Sequence, residues 1–169
     1  MKLFIHALGA SSGGGLTYLR NVIPHLAARL DLEASVLVGE HAASELAGTS
    51  NVQILKGPEG GGWRRSYWEQ REIPNLVRKQ GADVLLAAGN FALWNSPVPQ
   101  ILLSRNSLYT STDFERDLRR RGEWRMWADT RIKATLARKS IVRAELTLAP
   151  SAAFAGRPDR SCGHADWAP

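Results

Sequence analysis

The chain has 169 residues, 44% of them hydrophobic, and a formal net charge of +6. That length suits one compact domain and is short for two well-packed ones, and no window approaches the roughly 18 to 20 uninterrupted apolar residues of a membrane-spanning helix. A single cysteine, Cys162, excludes an internal disulfide framework and any zinc site built on several cysteines.

The N-terminus opens on Lys2 and a short β-type run followed by glycines. No secretory leader is read there, and residence in the cytoplasm is expected. Residues 3–8 are apolar, the chain then breaks into Gly9-Ala10-Ser11-Ser12-Gly13-Gly14-Gly15, and apolar residues resume at Leu16 with helical spacing. This pattern predicts strand, glycine-rich turn, helix. Such a turn leaves backbone N–H groups bare at the positive end of a helix dipole, where a phosphate can approach without meeting a Cβ. The glycines match neither G-x-G-x-x-G nor a P-loop, since no lysine follows them. A tight connection that needs only the conformational freedom of glycine fits the same residues.

Leu16, Leu19, Val22, Ile23, Leu26 and Leu30 form one apolar stripe, with a bend expected at Pro24. Strands are predicted over 34–38 and 52–55, with a brief helix over 41–47 between them. The second glycine-rich loop, 57–62, reads as a flexible connection. A helix over 63–79 follows, broken or kinked at Pro74, with Trp63, Tyr67 and Val77 on one side as core. Residues 83–88 are a buried strand, a Pro97-Val98-Pro99 turn leads into another over 100–104, helices fill 113–144, and 146–149 is a final strand.

Strands that alternate with helices predict an α/β domain, a mostly parallel sheet with helices on both faces. Ligands of such sheets bind beyond the carboxyl ends of the strands, so the loop 9–15, Asn90 and Arg105-Asn106 are expected to share one rim. His6, inside the first strand, is expected to be a core histidine hydrogen-bonded to a neighbour. The four histidines do not pair with carboxylates at ligand spacing, so no metal site is expected. Residues 156–169 mix breakers with no apolar period and read as a disordered or non-native tail behind a domain spanning 1–155.

The positive charge is concentrated. Residues 113–145 hold ten Lys or Arg against six acids, so four of the six net charges lie there, with Trp124, Met126 and Trp127 among the arginines. A solvated helix face and an interfacial helix on anionic lipid both fit this mixture. No nucleic-acid recognition motif accompanies the charge, and no nucleic-acid partner is expected.

Five stretches taken together carry a family likeness: Lys2 to Gly9, Gly13 to Leu19, Gly81 to Leu85, Pro99 to Asn106, and Leu146 to Ser151. In this order and spacing the chain resembles the N-terminal half of family 4 glycosyltransferases. The resemblance implies one Rossmann-like half of a GT-B fold, from an enzyme that moves a sugar from a nucleotide diphosphate sugar to an acceptor hydroxyl with retention. It implies that Gly13, Gly14 and Gly15 face the donor phosphates. Asn90, Arg105, Asn106 and Ser151 would line the acceptor cleft. Arg105-Asn106 stands where many relatives carry a histidine-led pair, so no catalytic residue is assigned. For Arg105 a phosphate or carboxylate clamp and a strand-end ion pair are both open, as are a cleft role and a plain helix N-cap for Ser151.

The resemblance also implies a metal-independent enzyme with no cofactor besides its nucleotide sugar, a glycan or lipid-linked acceptor, and a place in polysaccharide biosynthesis. The donor-binding second half of such enzymes, with its pair of glutamates, does not follow within these residues. The expectation is therefore a truncated chain without turnover, or one completed by a separate C-terminal half. The competing expectation is a non-catalytic binding module that recruits a partner transferase, or that sits peripherally on an anionic inner membrane surface through 113–145.

Overall fold

The computed structural model describes residues 1–11, 13–46, 48, 51–105, 111–149 and 167–168. The chain runs β1 (Lys2–His6), α1 (Gly13–Ala27), β2 (Glu33–Gly39), α2 (Glu40–Leu46), β3 (Val52–Gly57), α3 (Trp63–Gln80), β4 (Val84–Ala87), β5 (Gln100–Leu103), α4 (Thr112–Arg120), α5 (Trp124–Arg143), β6 (Leu146–Leu148) and β7 (Trp167–Ala168). The strands form one sheet in the order β3-β2-β1-β4-β5-β6-β7. Every pairing is parallel. This is a Rossmann-like α/β fold, as the alternation of elements predicts.

The period-2 alternation of strand side chains divides the core between two faces. Ile5, Val36 and Leu86 meet Leu19 and Ile23 of α1 and Ala42 and Leu46 of α2 on one face. Phe4 and Leu85 meet Ile73 and Val77 of α3 on the other. On that second face Ile141 of α5 packs with Ala87 and Leu102. Because neighbouring strands carry large apolar residues toward both faces, the sheet is sandwiched, as parallel sheets are.

Several local expectations are corrected. Helix α1 ends at Ala27, so Leu30 falls beyond it and is exposed instead of completing the apolar stripe. Both α1 and α3 are continuous through their prolines, and Pro74 is buried in the wall of α3. Trp63 and Tyr67 are 79% and 60% exposed, not core. The line of α3 that meets the sheet runs through Glu69, Ile73 and Val77, and the two aromatics lie on the flank beside it. The second glycine-rich loop is tied at two points: Glu59 Oε1 accepts from the His41 N–H at 2.9 Å, and Arg65 Nη1 donates to the Gly60 carbonyl at 2.7 Å. Within the stretch read as a structureless tail, Trp167–Ala168 pairs with Thr147 and Leu148 as a short edge strand. The rest of that stretch lies outside the described residues.

The connection from β4 to β5, residues 88–99, contains no helix. Two glutamine side chains take over the hydrogen bonding that a helix would supply internally. Gln100 accepts from the Leu93 N–H at 2.7 Å and donates to the Leu93 carbonyl at 3.2 Å. Gln70 of α3 accepts from the Trp94 N–H at 2.8 Å and donates to the Ala92 carbonyl at 3.1 Å. Gln100 is 1% exposed. Its replacement by leucine keeps the volume but strands two buried backbone groups. Gln100→Leu is expected to lower unfolding stability by about 2–4 kcal/mol, measured by urea denaturation. A loss below about 0.5 kcal/mol would show that this bracket contributes little.

Candidate functional site

The site grows from the carboxyl end of β1. After His6 the chain turns tightly, with the Ala10 N–H donating to the Ala7 carbonyl at 2.9 Å, and α1 begins at Gly13. The three consecutive glycines serve different purposes. Gly13 has φ +58°, a left-handed conformation that other residues rarely adopt. A Cβ on Gly15 would lie 2.9 Å from Ala10 Cα, so this glycine lets the first turn of α1 rest directly on the loop. A Cβ on Gly14 would meet nothing within 4 Å, which leaves that side of the loop open to a ligand.

Arg105, just past β5, reaches across this loop. Its backbone N–H donates to Asn90 Oδ1 at 2.8 Å, which fixes the strand end. Its guanidinium donates to the Ala88 carbonyl beyond β4 at 2.8 Å and to the Gly14 carbonyl at 3.3 Å. The same group lies 5.4 Å from the ring centroid of Tyr18, one turn along α1. One side chain therefore joins the ends of β1, β4 and β5. Of the five guanidinium N–H donors, two are engaged by carbonyls, and among the described residues no carboxylate pairs with Arg105.

The electrostatics of this corner favour an anion. The N-terminus of α1 contributes the positive end of its dipole, and Arg105 adds a cation without a counter-charge among the described residues. Burial raises the Tyr18 hydroxyl above its ordinary value of 10.0, while the nearby Arg105 charge pulls it down. Tyr18 therefore stays a neutral phenol at physiological pH, a donor and an apolar wall at once. The expected gathering of Gly13–Gly15, Asn90 and Arg105 on one rim is present in the fold. Asn106 and Ser151 lie outside the described residues. Tyr18 was not singled out from sequence, and its only signal there was its place as the first aromatic residue after the glycine loop.

A second polar group lies on the opposite face of the sheet. His6 is buried, with Nε2 3.6 Å from Glu69 Oε1, and Glu69 also pairs with Arg65 Nε at 3.0 Å. Neither ring nitrogen of His6 has a hydrogen-bond partner among the described residues, which corrects the expectation of a hydrogen-bonded core histidine. A cavity of about 400 Å³ lies at the other end of the sheet, lined by Lys2, Glu33, Asn51, Gln53 and Gln80. It has no glycine loop, helix N-terminus or unpaired cation, so the rim is the stronger site. Among the described residues no three of His, Cys, Asp and Glu are placed to hold a metal ion, and no helix is long and apolar enough to cross a membrane.

No protein-family model matches the chain, and no curated protein matches it. The chemistry of the site therefore rests on its own geometry.

The glycine roles are separable by mutation. Gly15→Ala is expected to lower stability by about 1–3 kcal/mol because the loop backbone must shift. Gly14→Ala is expected to leave stability unchanged or to raise it by up to about 1 kcal/mol. Equal effects in chemical denaturation would contradict this division. The phenol of Tyr18, isolated by subtracting the ultraviolet titration of Tyr18→Phe, is expected to ionise above 10.0 and to move higher still in Arg105→Ala, since the guanidinium favours the phenolate. An unchanged titration in Arg105→Ala would mean that the two groups do not interact.

Proposed function

We propose that this chain is the acceptor-side half of a glycosyltransferase that uses a nucleotide diphosphate sugar, and that the rim formed by Gly13–Gly15, Asn90 and Arg105 receives the donor diphosphate. The observation that carries the reading is the guanidinium of Arg105, laid over an open glycine loop at a helix N-terminus and paired with no carboxylate among the described residues. Of the stretches on which the family resemblance rests, the end of β1 with its loop, the start of α1 and the end of β5 meet at this rim, whereas Gly81 to Leu85 enters β4 from the opposite end of the sheet.

In sugar transfer the leaving diphosphate gains negative charge as the bond to the anomeric carbon breaks. Amides of the glycine loop and the remaining donors of Arg105 are set where that charge develops, and they need no reorganisation to stabilise it. Arginine suits this role because its planar fork donates to two phosphate oxygens together. The acceptor hydroxyl would enter from the side of Asn90, with Asn106 and Ser151 as further cleft residues. No general base is assigned.

The 169 residues hold one Rossmann-like unit, so the reading predicts binding without turnover. In isothermal titration, UDP or GDP is expected to bind in preference to inorganic phosphate, and Arg105→Ala to weaken binding by roughly 10- to 100-fold. Gly14→Ala is expected to weaken it while the fold is retained. The reading fails if no nucleoside diphosphate binds, or if Arg105→Ala binds as the parent does. Release of nucleoside diphosphate from sugar donors above background would contradict the claim that these residues lack turnover.

A further inference from the structure

The outward side of α5 departs from what a solvated helix face requires. Trp124, Ala128, Ile132, Thr135, Lys139 and Val142 recur at intervals of four and three, the spacing of a single stripe, and all six are exposed. Trp124, Ile132 and Val142 are 61%, 63% and 64% exposed. The stripe runs for about 27 Å. It lies opposite the line Thr130, Ala134, Ala137 and Ile141 that packs α5 onto the domain. Within the stripe Thr135 Oγ1 donates to the Arg131 carbonyl of its own helix at 3.0 Å, while the α4–α5 pair is knitted from the side, where Glu115 Oε1 accepts from Arg119, Trp127 and Arg131.

Charge along the helix is one-sided. Helix α5 holds six cations and one acid, Asp129, which pairs with Lys133 Nζ at 2.6 Å. Arg125 and Lys139, on and beside the stripe, have no carboxylate partner among the described residues. On α5, Arg131 pairs with Glu115 and Lys133 with Asp129, so ion pairs explain part of the basic segment and leave Arg125 and Lys139 outside it. Such pairs also account for Arg116 and Arg119 on α4 and for Arg121 at its C-terminal cap.

We propose that this face of α5 is a docking surface for a bilayer that carries anionic phospholipid. A helix that lies flat in the headgroup region needs an apolar stripe, an interfacial tryptophan and cations that reach outward from its flanks, and α5 presents all three. Charge complementarity selects the bilayer over a second copy of the chain. Two such faces would bring Arg125 and Lys139 against their own kind, with the one acid of α5, Asp129, already paired to Lys133. The inference is independent of the reaction at the rim.

The test is vesicle co-sedimentation of the full 169-residue chain with phosphatidylcholine alone and with phosphatidylglycerol as about one third of the lipid. Binding is expected to the anionic vesicles only, and to weaken as salt rises from about 0.1 M to 0.5 M. Arg125→Glu combined with Lys139→Glu is expected to reduce partitioning at least about tenfold. Trp124→Ala combined with Ile132→Ala is expected to reduce it while keeping the salt dependence. All four side chains are exposed, so circular dichroism should match the parent; Trp124 also meets the Trp127 ring edge-to-face at 6.1 Å, so the midpoint of the Trp124→Ala variant is expected slightly below the parent's and that of the charge-reversed variant to match it. Absence of binding, equal binding to neutral vesicles, or unchanged binding by the charge-reversed variant would overturn the proposal. So would a dimer in sedimentation that Ile132→Glu dissociates while the vesicles stay unbound.

Discussion

The whole arrangement depends on one constraint: every strand is parallel, and the winding of the sheet reverses between β1 and β4. From β1 the chain steps outward through β2 to β3, then returns across the sheet and continues from β4 to β6. Consecutive connections on the two sides of that reversal leave in opposite directions, so a crevice opens at the carboxyl ends of β1 and β4. The glycine loop follows β1 and Asn90 follows β4. Their closeness is a consequence of winding, since they stand far apart in the chain.

Arg105 turns this crevice into a defined corner. Its two bonds to backbone carbonyls hold the guanidinium flat across the end of β4, and its approach to Tyr18 gives it a partly apolar seat. A cation seated by carbonyl dipoles and a ring keeps its net charge, whereas one seated by a carboxylate would lose it. The rim is thereby prepared for an anion before any arrives, which is what electrostatic preorganisation requires. The buried His6 and Glu69, with the half-buried Arg65, lie behind the same strand end on the other face, where Glu69 and Arg65 pair with each other.

Much of this was legible in the residues. Strands with continuous apolar runs and a helix announced by three glycines have strong local signals, and the strand-and-helix alternation implies a parallel sheet. What local pattern could not supply were facts that exist only after the sheet assembles. Gly14, Ala88, Asn90 and Arg105 meet because β1, β4 and β5 are neighbours. In the sequence of α3, Trp63 and Tyr67 point to their own flank as the buried side, since aromatic residues usually mark it. The sheet instead receives the line of Glu69, Ile73 and Val77, and Glu69 tolerates that place by pairing with Arg65. Pro24 and Pro74 stand inside continuous helices because packing outweighs propensity. The crossover held by Gln70 and Gln100 leaves no periodic trace at all.

The central claim is that the rim is an anion site for a nucleoside diphosphate, and chemical-shift mapping on isotope-labelled protein during titration with UDP and GDP tests it most directly. The account predicts that the backbone amides of Gly13, Gly14 and Gly15 and the guanidinium of Arg105 move together and saturate at one affinity. Shifts confined to Lys2, Glu33 and Gln53 at the amino ends of the strands, or no shifts with either nucleotide, would contradict it.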